Sequence, residues 1–362
     1  METLVAGPYV VGVDAGATTT RCAVMAPSGT IAGYGRGPGA NRNSGGDTTA
    51  SLTTALRTAL RDLNLSLVAG GVFGIAGAGA AGRAAAVHAA TEAWHACGLT
   101  GAPSVVTDIS VAFAAGTNAP TGIVVFSGTG AGAAVISHGQ IVKRVDAYGW
   151  LVGDEGSAVW LGREAVRAAL NAHDGRGAPT VLAELVPEAL FGAPVTSWAR
   201  DLAQERTRVP ALAQPRSGER GGDLAVAELP RPGTGGGDIA QAIIKEVYGS
   251  PPAALGRLGP VVCQAAVDGD QVAKEITEEA ARWLLMDVDA VTPALPAADP
   301  HAAAEPGHPV VLAGSVLSEG PVADAVRAGV RERFGIEPSQ AGDGAIGAAG
   351  MALQDLGLAT VA

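Results

Sequence analysis

The stretch YVVGVDAGATTTRCAV, residues 9–24, constrains this chain more than any other, because its pattern returns further along. An apolar run at 9–13 meets an acid and a patch of Gly, Ala and Thr. A second run follows at 21–25, then the turn Pro27-Ser28-Gly29 and a third run at 30–34. TGIVVFSGTGAGAAVISHGQIVKRV, residues 121–145, repeats that order, with Gly139 in the place of Gly29 and GTGAG in the place of GATTT. Period-two apolar runs broken by Gly-containing turns read as hairpins, and a recurring set reads as a duplicated βββ unit. Two related α/β units follow, each presenting a small polar turn. Together such turns could clamp one polyphosphate.

The remaining periodicities place helices and buried strands around these units. Leu52, Ala55, Leu56, Ala59, Leu60 and Leu63 give residues 49–63 one apolar helical face. A buried strand is expected at 71–76, a helix at 82–97 and a short strand at 104–107. Beyond Val145 the chain reads as helical at 158–172, 239–248, 253–267 and 272–291. A last buried strand is expected at 309–313, then helices at 322–334 and 345–356. Residues from about 200 to 238 are rich in Gly and Pro with no sustained period. They read as a mobile surface insert, with a lid or partner segment as the alternative. The division implied is an N-terminal unit over 1–118 and a C-terminal unit over 119–362 that carries the insert. The final helix is free to return to the first unit.

With a formal net charge of −11, the 362-residue chain is a poor match to a nucleic-acid backbone or an anionic membrane. Small phosphorylated ligands are not excluded, because backbone amides and Mg²⁺ can hold phosphate. Cys22, Cys97 and Cys263 are far apart and include no CxxC pair, which points to a reducing cytoplasm and away from disulfides or a metal cluster within one chain. The start, METLVAGPYVV, lacks the basic leader of a signal peptide, and no run reads as a membrane span.

Four strings carry candidate chemistry. Asp14 closes a strand ahead of Gly16, Thr18 and Thr20, a position from which a carboxylate can hold Mg²⁺ through water while Gly lets the backbone near a phosphate. Ordinary hairpin chemistry explains the same string. In FSGTGAG, residues 126–132, Ser127, Gly128, Thr129 and Gly130 can surround an anion, and no GKS or GKT follows to make it a Walker loop. Asp108 in TDIS sits after a strand, where it could accept a hydroxyl proton or cap a helix. In YGWLVGDEGSAVWLGREAV, residues 148–166, Asp154 and Glu155 beside Gly156 suit sugar hydroxyls or the start of a helix.

In this order the strings resemble the N-acetylglucosamine kinase-like family, which includes acyl-CoA reductase activator ATPases of the BadF/BadG/BcrA/BcrD type. It lies within the actin, hexokinase and heat-shock chaperone superfamily. DAGATTT is similar to its first phosphate motif, FSGTGAG to its second and VVLAGSVLSEGPV, residues 310–322, to its adenosine motif. The resemblance implies two ribonuclease H-like α/β domains with a duplicated βββαβα core around an ATP cleft. It assigns Asp14 to the metal ion and Gly16, Thr18, Thr20, Ser127, Gly128, Thr129 and Gly130 to the phosphates. Gly314 and Ser315 fall to adenosine, Asp108 to the catalytic base, and Asn41 and Asp154 to the sugar. Asp146, Ala147, Tyr148 and Gly149 stand where family kinases read Gly-Gly-Trp-Gly, so Asp146, Tyr148 and Gly149 are placed at an altered acceptor pocket. The expected activity is ATP-dependent transfer to a primary hydroxyl of N-acetylglucosamine, glucosamine or a close mimic. The alternatives are a cyclitol kinase and an ATPase that activates a partner enzyme; a homodimer is usual for the family.

Overall fold

The computed structural model describes residues 7–40, 47–192, 236–296 and 307–358. Its first sheet opens as an antiparallel meander of β1 (Tyr9–Ala15), β2 (Thr19–Met25) and β3 (Ile31–Pro38). Helix α1 (Thr48–Leu60) leads to β4 (Val68–Ile75), which joins the other side of β1 in parallel. Helix α2 (Arg83–Ala96) then leads to β5 (Ser104–Thr107), parallel to β4. The chain leaves this unit through α3 (Asp108–Ala114).

The second unit repeats the plan. β6 (Thr121–Ser127), β7 (Ala131–Ser137) and β8 (Gln140–Asp146) form the meander. Among the described residues five helices follow: α4 (Ala158–His173), α5 (Leu182–Phe191), α6 (Gly236–Gly249), α7 (Gly259–Val267) and α8 (Gln271–Val291). β9 (Val310–Ala313) joins β6 in parallel, α9 (Pro321–Phe334) crosses over, β10 (Ser339–Gln340) pairs with β9, and α10 (Gly344–Asp355) ends the fold. The strand orders are β3-β2-β1-β4-β5 and β8-β7-β6-β9-β10. The duplication expected from the meander repeat therefore extends to every strand. Gly29 and Gly139 hold the equivalent β2–β3 and β7–β8 turns in left-handed backbone, at φ +81° and +73°.

One face of the first sheet is covered by α1 and α2, through Leu52, Leu56, Phe73 and Trp94; the last two meet edge to face at 5.9 Å. Its other face is covered by α10, the last helix of the chain, through Ala348, Ala349 and Leu353 against Val10 and Val72. α3, the last helix of the first unit, covers the second sheet through Phe113 against Val124, Ala134 and Val311. The second unit thus lends its final helix to the first, while α3 lies between the two sheets, its Val111 packing with Val10, Val72 and Val106 of the first. The crossings, after α3 and before α10, touch where Gly342 N–H donates to Ala115 O at 3.0 Å.

Several boundaries differ from the sequence expectation. The apolar face at 253–267 is split into a 3-10 turn at Pro252–Leu258 and helix α7, because Gly259-Pro260 interrupts the helical hydrogen bonds. Helix α5 and strand β10 were not expected; helix α3 was held open only as a helix capped at Asp108. Asn41 and residues 200–235 of the Gly/Pro-rich segment lie outside the described residues. Among the described residues no helix is long and apolar enough to cross a membrane.

Candidate active site

Each unit closes its first hairpin with one of the two repeated turns. In the first, Asp14 lies directly across the β1–β2 ladder from Arg21, and Arg21 Nη1 comes within 3.6 Å of Asp14 Oδ2. Gly16 N–H donates to Thr19 O at 3.0 Å, closing a turn that leaves Thr18 exposed. Thr20 is buried, and its hydroxyl donates to Pro38 O at 2.7 Å, tying β2 to the end of β3.

In the second turn, Gly128 N–H donates to Gly130 O at 2.9 Å, and Ala158 N–H at the start of α4 donates to Gly128 O at 2.8 Å. The Ser127 hydroxyl is buried and donates to Gly156 O at 2.8 Å, so it fastens the turn to the segment before α4. Gly128, Thr129 and Gly130 remain half-buried at the opening. Gly314 and Ser315 follow β9 alongside. A Cβ on Gly314 would lie 2.2 Å from Ser127 O and 3.0 Å from Gly128 N, which fixes how close this segment comes to the phosphate-like turn.

Three acids from three elements meet beside the first turn. Asp14 comes from β1, Asp108 is the first residue of α3, and Asp343 caps α10, where its Oδ1 accepts from Ala345 N at 2.9 Å. Thr107, not Asp108, is the cap of α3; its hydroxyl accepts from Ser110 N at 3.2 Å, while Asp108 Oδ1 accepts from Ile109 N at 3.1 Å. Tyr34 Oη donates to Asp343 Oδ2 at 2.5 Å. Burial raises the Asp14 carboxyl to about 7; the negative charges of Asp108 and Asp343 add to the rise, and Arg21 opposes it. Burial raises Asp108 to about 6, against the backbone N–H groups of Ile109 and Asp108 and the charge of Arg144.

The string 146–157 is held by one carboxylate. Asp146 ends β8 with φ +58° and is buried. Its Oδ1 accepts from Asp154 N at 2.8 Å and Tyr148 N at 3.4 Å, and its Oδ2 accepts from Glu155 N at 2.9 Å. Asp146 thereby closes the loop on itself. Asp154, also left-handed at φ +56°, is delivered beneath the second turn, where a Cβ on Gly130 would stand 3.1 Å from its Oδ2. Burial raises the Asp154 carboxyl, against hydrogen bonds from the Ala131 and Gly149 backbones. Tyr148 projects from the loop and is 64% exposed. Glu155 pairs with Arg163 at 3.4 Å, on the first turns of α4, which Ser157 caps through Trp160 N at 3.1 Å.

The donor set suits a hydrated magnesium ion carried with phosphate. Asp14, Asp108 and Asp343 are hard oxygen donors with surplus negative charge, and open glycine turns stand beside them. Among the described residues no three His, Cys, Asp or Glu side chains are grouped to enclose a metal by themselves. Asp14 would therefore hold such an ion with water and phosphate oxygens as its other ligands. The three cysteines do not gather: Cys22 is buried in β2, while Cys97 follows α2 and Cys263 lies in α7.

The structure sets Asp14 beside Asp108 and Asp343, and in the other unit it sets Gly130 beside Asp154 and Gly314 beside Ser127 and Gly128. Sequence reasoning missed Arg21, Tyr34, Asp343 and Arg144. Arg21 was within reach, since a β1–β2 hairpin in register sets it across from Asp14. Asp343 was not, because only the return of α10 brings it to the first unit.

Comparison with known proteins supports the same architecture. A proposed N-acetylglucosamine kinase from Chromobacterium violaceum superposes with a TM-score of 0.62 at 22% identity, covering 95% of this chain and 98% of that one. One from Porphyromonas gingivalis superposes with 0.62 at 17% identity, covering 96% and 99%. A ROK family glucokinase from Streptomyces griseus, solved with glucose and AMPPNP, gives 0.51 at 18% identity, covering 96% and 99%. These likenesses establish the fold, two ribonuclease H-like units of the actin and hexokinase type. In sequence, the chain is 28% identical over 204 residues to an N-acetylmuramic acid/N-acetylglucosamine kinase from Clostridium acetobutylicum. That match takes in 55% of this chain and about half the length of the relative, 51%. Residues 11–352 match the model of the BadF/BadG/BcrA/BcrD ATPase family, and the chain belongs to that family.

Proposed function

We propose that the protein is an ATP-dependent sugar kinase that phosphorylates a hydroxyl of an N-acetylhexosamine or close relative. The observation that carries this reading is the placement of Asp108. It begins α3 between the two glycine turns, near Asp14, with its Oδ1 accepting from Ile109 N at 3.1 Å. An ATPase that only drove a partner would not need a second, poised carboxylate at that point. The N-acetylmuramic acid/N-acetylglucosamine kinase relative supports the acceptor class.

In this reading residues 1–118 and 119–362 form the two lobes. The turns at Gly16–Thr18 and Gly128–Gly130 bind the phosphates from opposite sides, Gly314 and Ser315 line the nucleoside, and Asp14 would hold Mg²⁺. Mg²⁺ bound there would neutralise charge on the phosphates. Asp108 takes the proton of the acceptor hydroxyl while that oxygen bonds to the γ-phosphorus and the bond to the ADP oxygen breaks. Asp154, together with Asn41, orients the sugar. Asp146 acts one step removed, by fixing the backbone that presents Asp154. Positioning and charge neutralisation supply most of the catalysis in such a transfer.

A coupled ADP-release assay over N-acetylglucosamine, N-acetylmuramic acid, glucosamine, glucose and a set of cyclitols tests the activity and ranks acceptors. Asp108→Asn is expected to lower kcat by about 10²–10⁴ while leaving nucleotide affinity within about twofold. Unchanged turnover in this variant would remove Asp108 from the chemistry.

A further inference from the structure

We propose that Arg144 binds an anionic group in the working site, either the phosphoryl group in transfer or an acid substituent on the acceptor. This rests on the kinase reading of the same cleft and adds to it a residue that the motifs do not assign.

Arg144 lies on β8, directly across from Ala134 on β7. Cross-strand partners leave a sheet on the same face. Ala134 belongs to the apolar cluster that packs under α3 with Ile109 and Phe113, so Arg144 emerges on the face of the second sheet that α3 covers. Asp108 is the first residue of α3. Two residues further along the same strand, Asp146 starts the loop that delivers Asp154. The Arg144 charge acts on both Asp108 and Asp154, carboxylates from opposite lobes. Arg144 therefore looks into the gap where acceptor and transferred group must meet.

Its lack of commitments is the second observation. The other cations around the cleft are engaged: Arg21 with Asp14 at 3.6 Å, and Arg163 with Glu155 at 3.4 Å. Among the described residues Arg144 makes no hydrogen bond and no ion pair within 4.0 Å, and its side chain is exposed. An exposed, unpaired guanidinium beside an acidic pair contributes little to the fold. It offers a planar set of donors to phosphate or carboxylate oxygens. Nothing on β8 competes for it, because Lys143 points to the opposite face.

The test compares Arg144→Ala and Arg144→Lys with the wild type on two acceptors, uncharged N-acetylglucosamine and N-acetylmuramic acid, which carries a carboxylate. If Arg144 meets the phosphoryl group, Arg144→Ala lowers kcat about 100-fold with both acceptors and weakens binding of MgADP–aluminium fluoride, while acceptor affinity measured by calorimetry without nucleotide is unchanged. If it meets an acid on the acceptor, the loss is confined to N-acetylmuramic acid and appears as at least a tenfold rise in its Kd and KM. Arg144→Lys should recover part of either loss, and thermal unfolding should match the wild type. Alanine and wild type agreeing within twofold in every arm would overturn the proposal. Should the wild type turn over neither sugar, the kinase reading falls, and the calorimetric arms still decide whether Arg144 binds an anion.

Discussion

At the scale of single residues, the carboxylates of the cleft differ by environment, and that difference is measurable. Asp108 serves as a base only when unprotonated, and burial has raised it to about 6. Activity with a good acceptor should therefore climb with pH through about 6 and flatten above it. A pH profile of kcat taken with magnesium and ATP saturating reads this limb directly. A limb in the ordinary carboxylate range near 4 would mean that Asp108 is better solvated in the complex, or that another group is the base. Asp14 and Asp108 could be singled out in the sequence because each stands at the end of an apolar run, Asp14 ahead of Ala15 and Gly16 and Asp108 where a helix can start. Arg144 was not, because its meaning depends on which face of β8 it leaves and on a helix from the other unit. Thr20 and Ser127 were legible as members of polar turns, but not that their hydroxyls are spent on Pro38 and Gly156.

At the scale of elements, the loop between β8 and α4 is the part of the site whose construction most affects the acceptor. Asp146 and Asp154 both adopt left-handed backbone, unfavourable for residues with a side chain, and the hydrogen bonds from Asp154 N and Glu155 N to the Asp146 carboxylate hold them there. Asp146→Asn keeps one acceptor oxygen and turns an amide toward the other donor. It should raise the acceptor KM about tenfold, consistent with the loss of one charge-assisted hydrogen bond, with a smaller effect on kcat. An unchanged KM would show that the loop holds its shape without this carboxylate. Beneath it, Asp287 of α8 is 7% exposed, its Oδ2 has no partner among the described residues, and burial together with the charges of Asp146 and Glu155 raises it to about 7. The folded form keeps a proton that the unfolded chain gives up near pH 4, so stability falls as pH rises from about 4 to about 7 and stays lower above. Asp287→Asn removes that penalty. Its melting temperature relative to wild type should be higher at pH 8 than at pH 5, and an equal offset at both would contradict the assignment. The sequence located most of these elements to within a few residues, since period and capping are local. It merged Pro252–Leu258 with α7 because an apolar face can continue through a 3-10 turn, and it missed β10, two residues long, whose pairing with β9 is set only by the fold.

At the scale of the whole molecule, the two halves are joined through α3, packed between the two sheets, and α10, returned to the first, and this contact sets how the acids of the site are spaced. α10 lies on β1, and α3 lies between α10 and the second sheet, so Asp343, Asp14 and Asp108 keep their distances only while these helices stay in close contact. Glycines make the contact possible. A Cβ on Gly347 would stand 2.5 Å from Val111 O and 2.6 Å from Ala115 N, both backbone atoms that cannot step aside without moving α3. Gly350, one turn on in the same helix, has nothing among the described residues within 4 Å of the equivalent position. Helix propensity alone favours alanine over glycine at both sites, by up to about 1 kcal/mol. Gly350→Ala should therefore leave the melting temperature equal or raised, with turnover unchanged. Gly347→Ala should destabilise by about 1–3 kcal/mol, because overpacking of two backbones outweighs the propensity gain. It should also lower kcat more than it weakens nucleotide binding, since the shifted helix carries Asp108 at its start. Differential scanning calorimetry and the ADP-release assay on the two variants separate these effects. Equal behaviour of the pair would mean that α3 and α10 slide freely past one another, and that the spacing of the acids is set by the bound ligands instead of by the packing of these two helices.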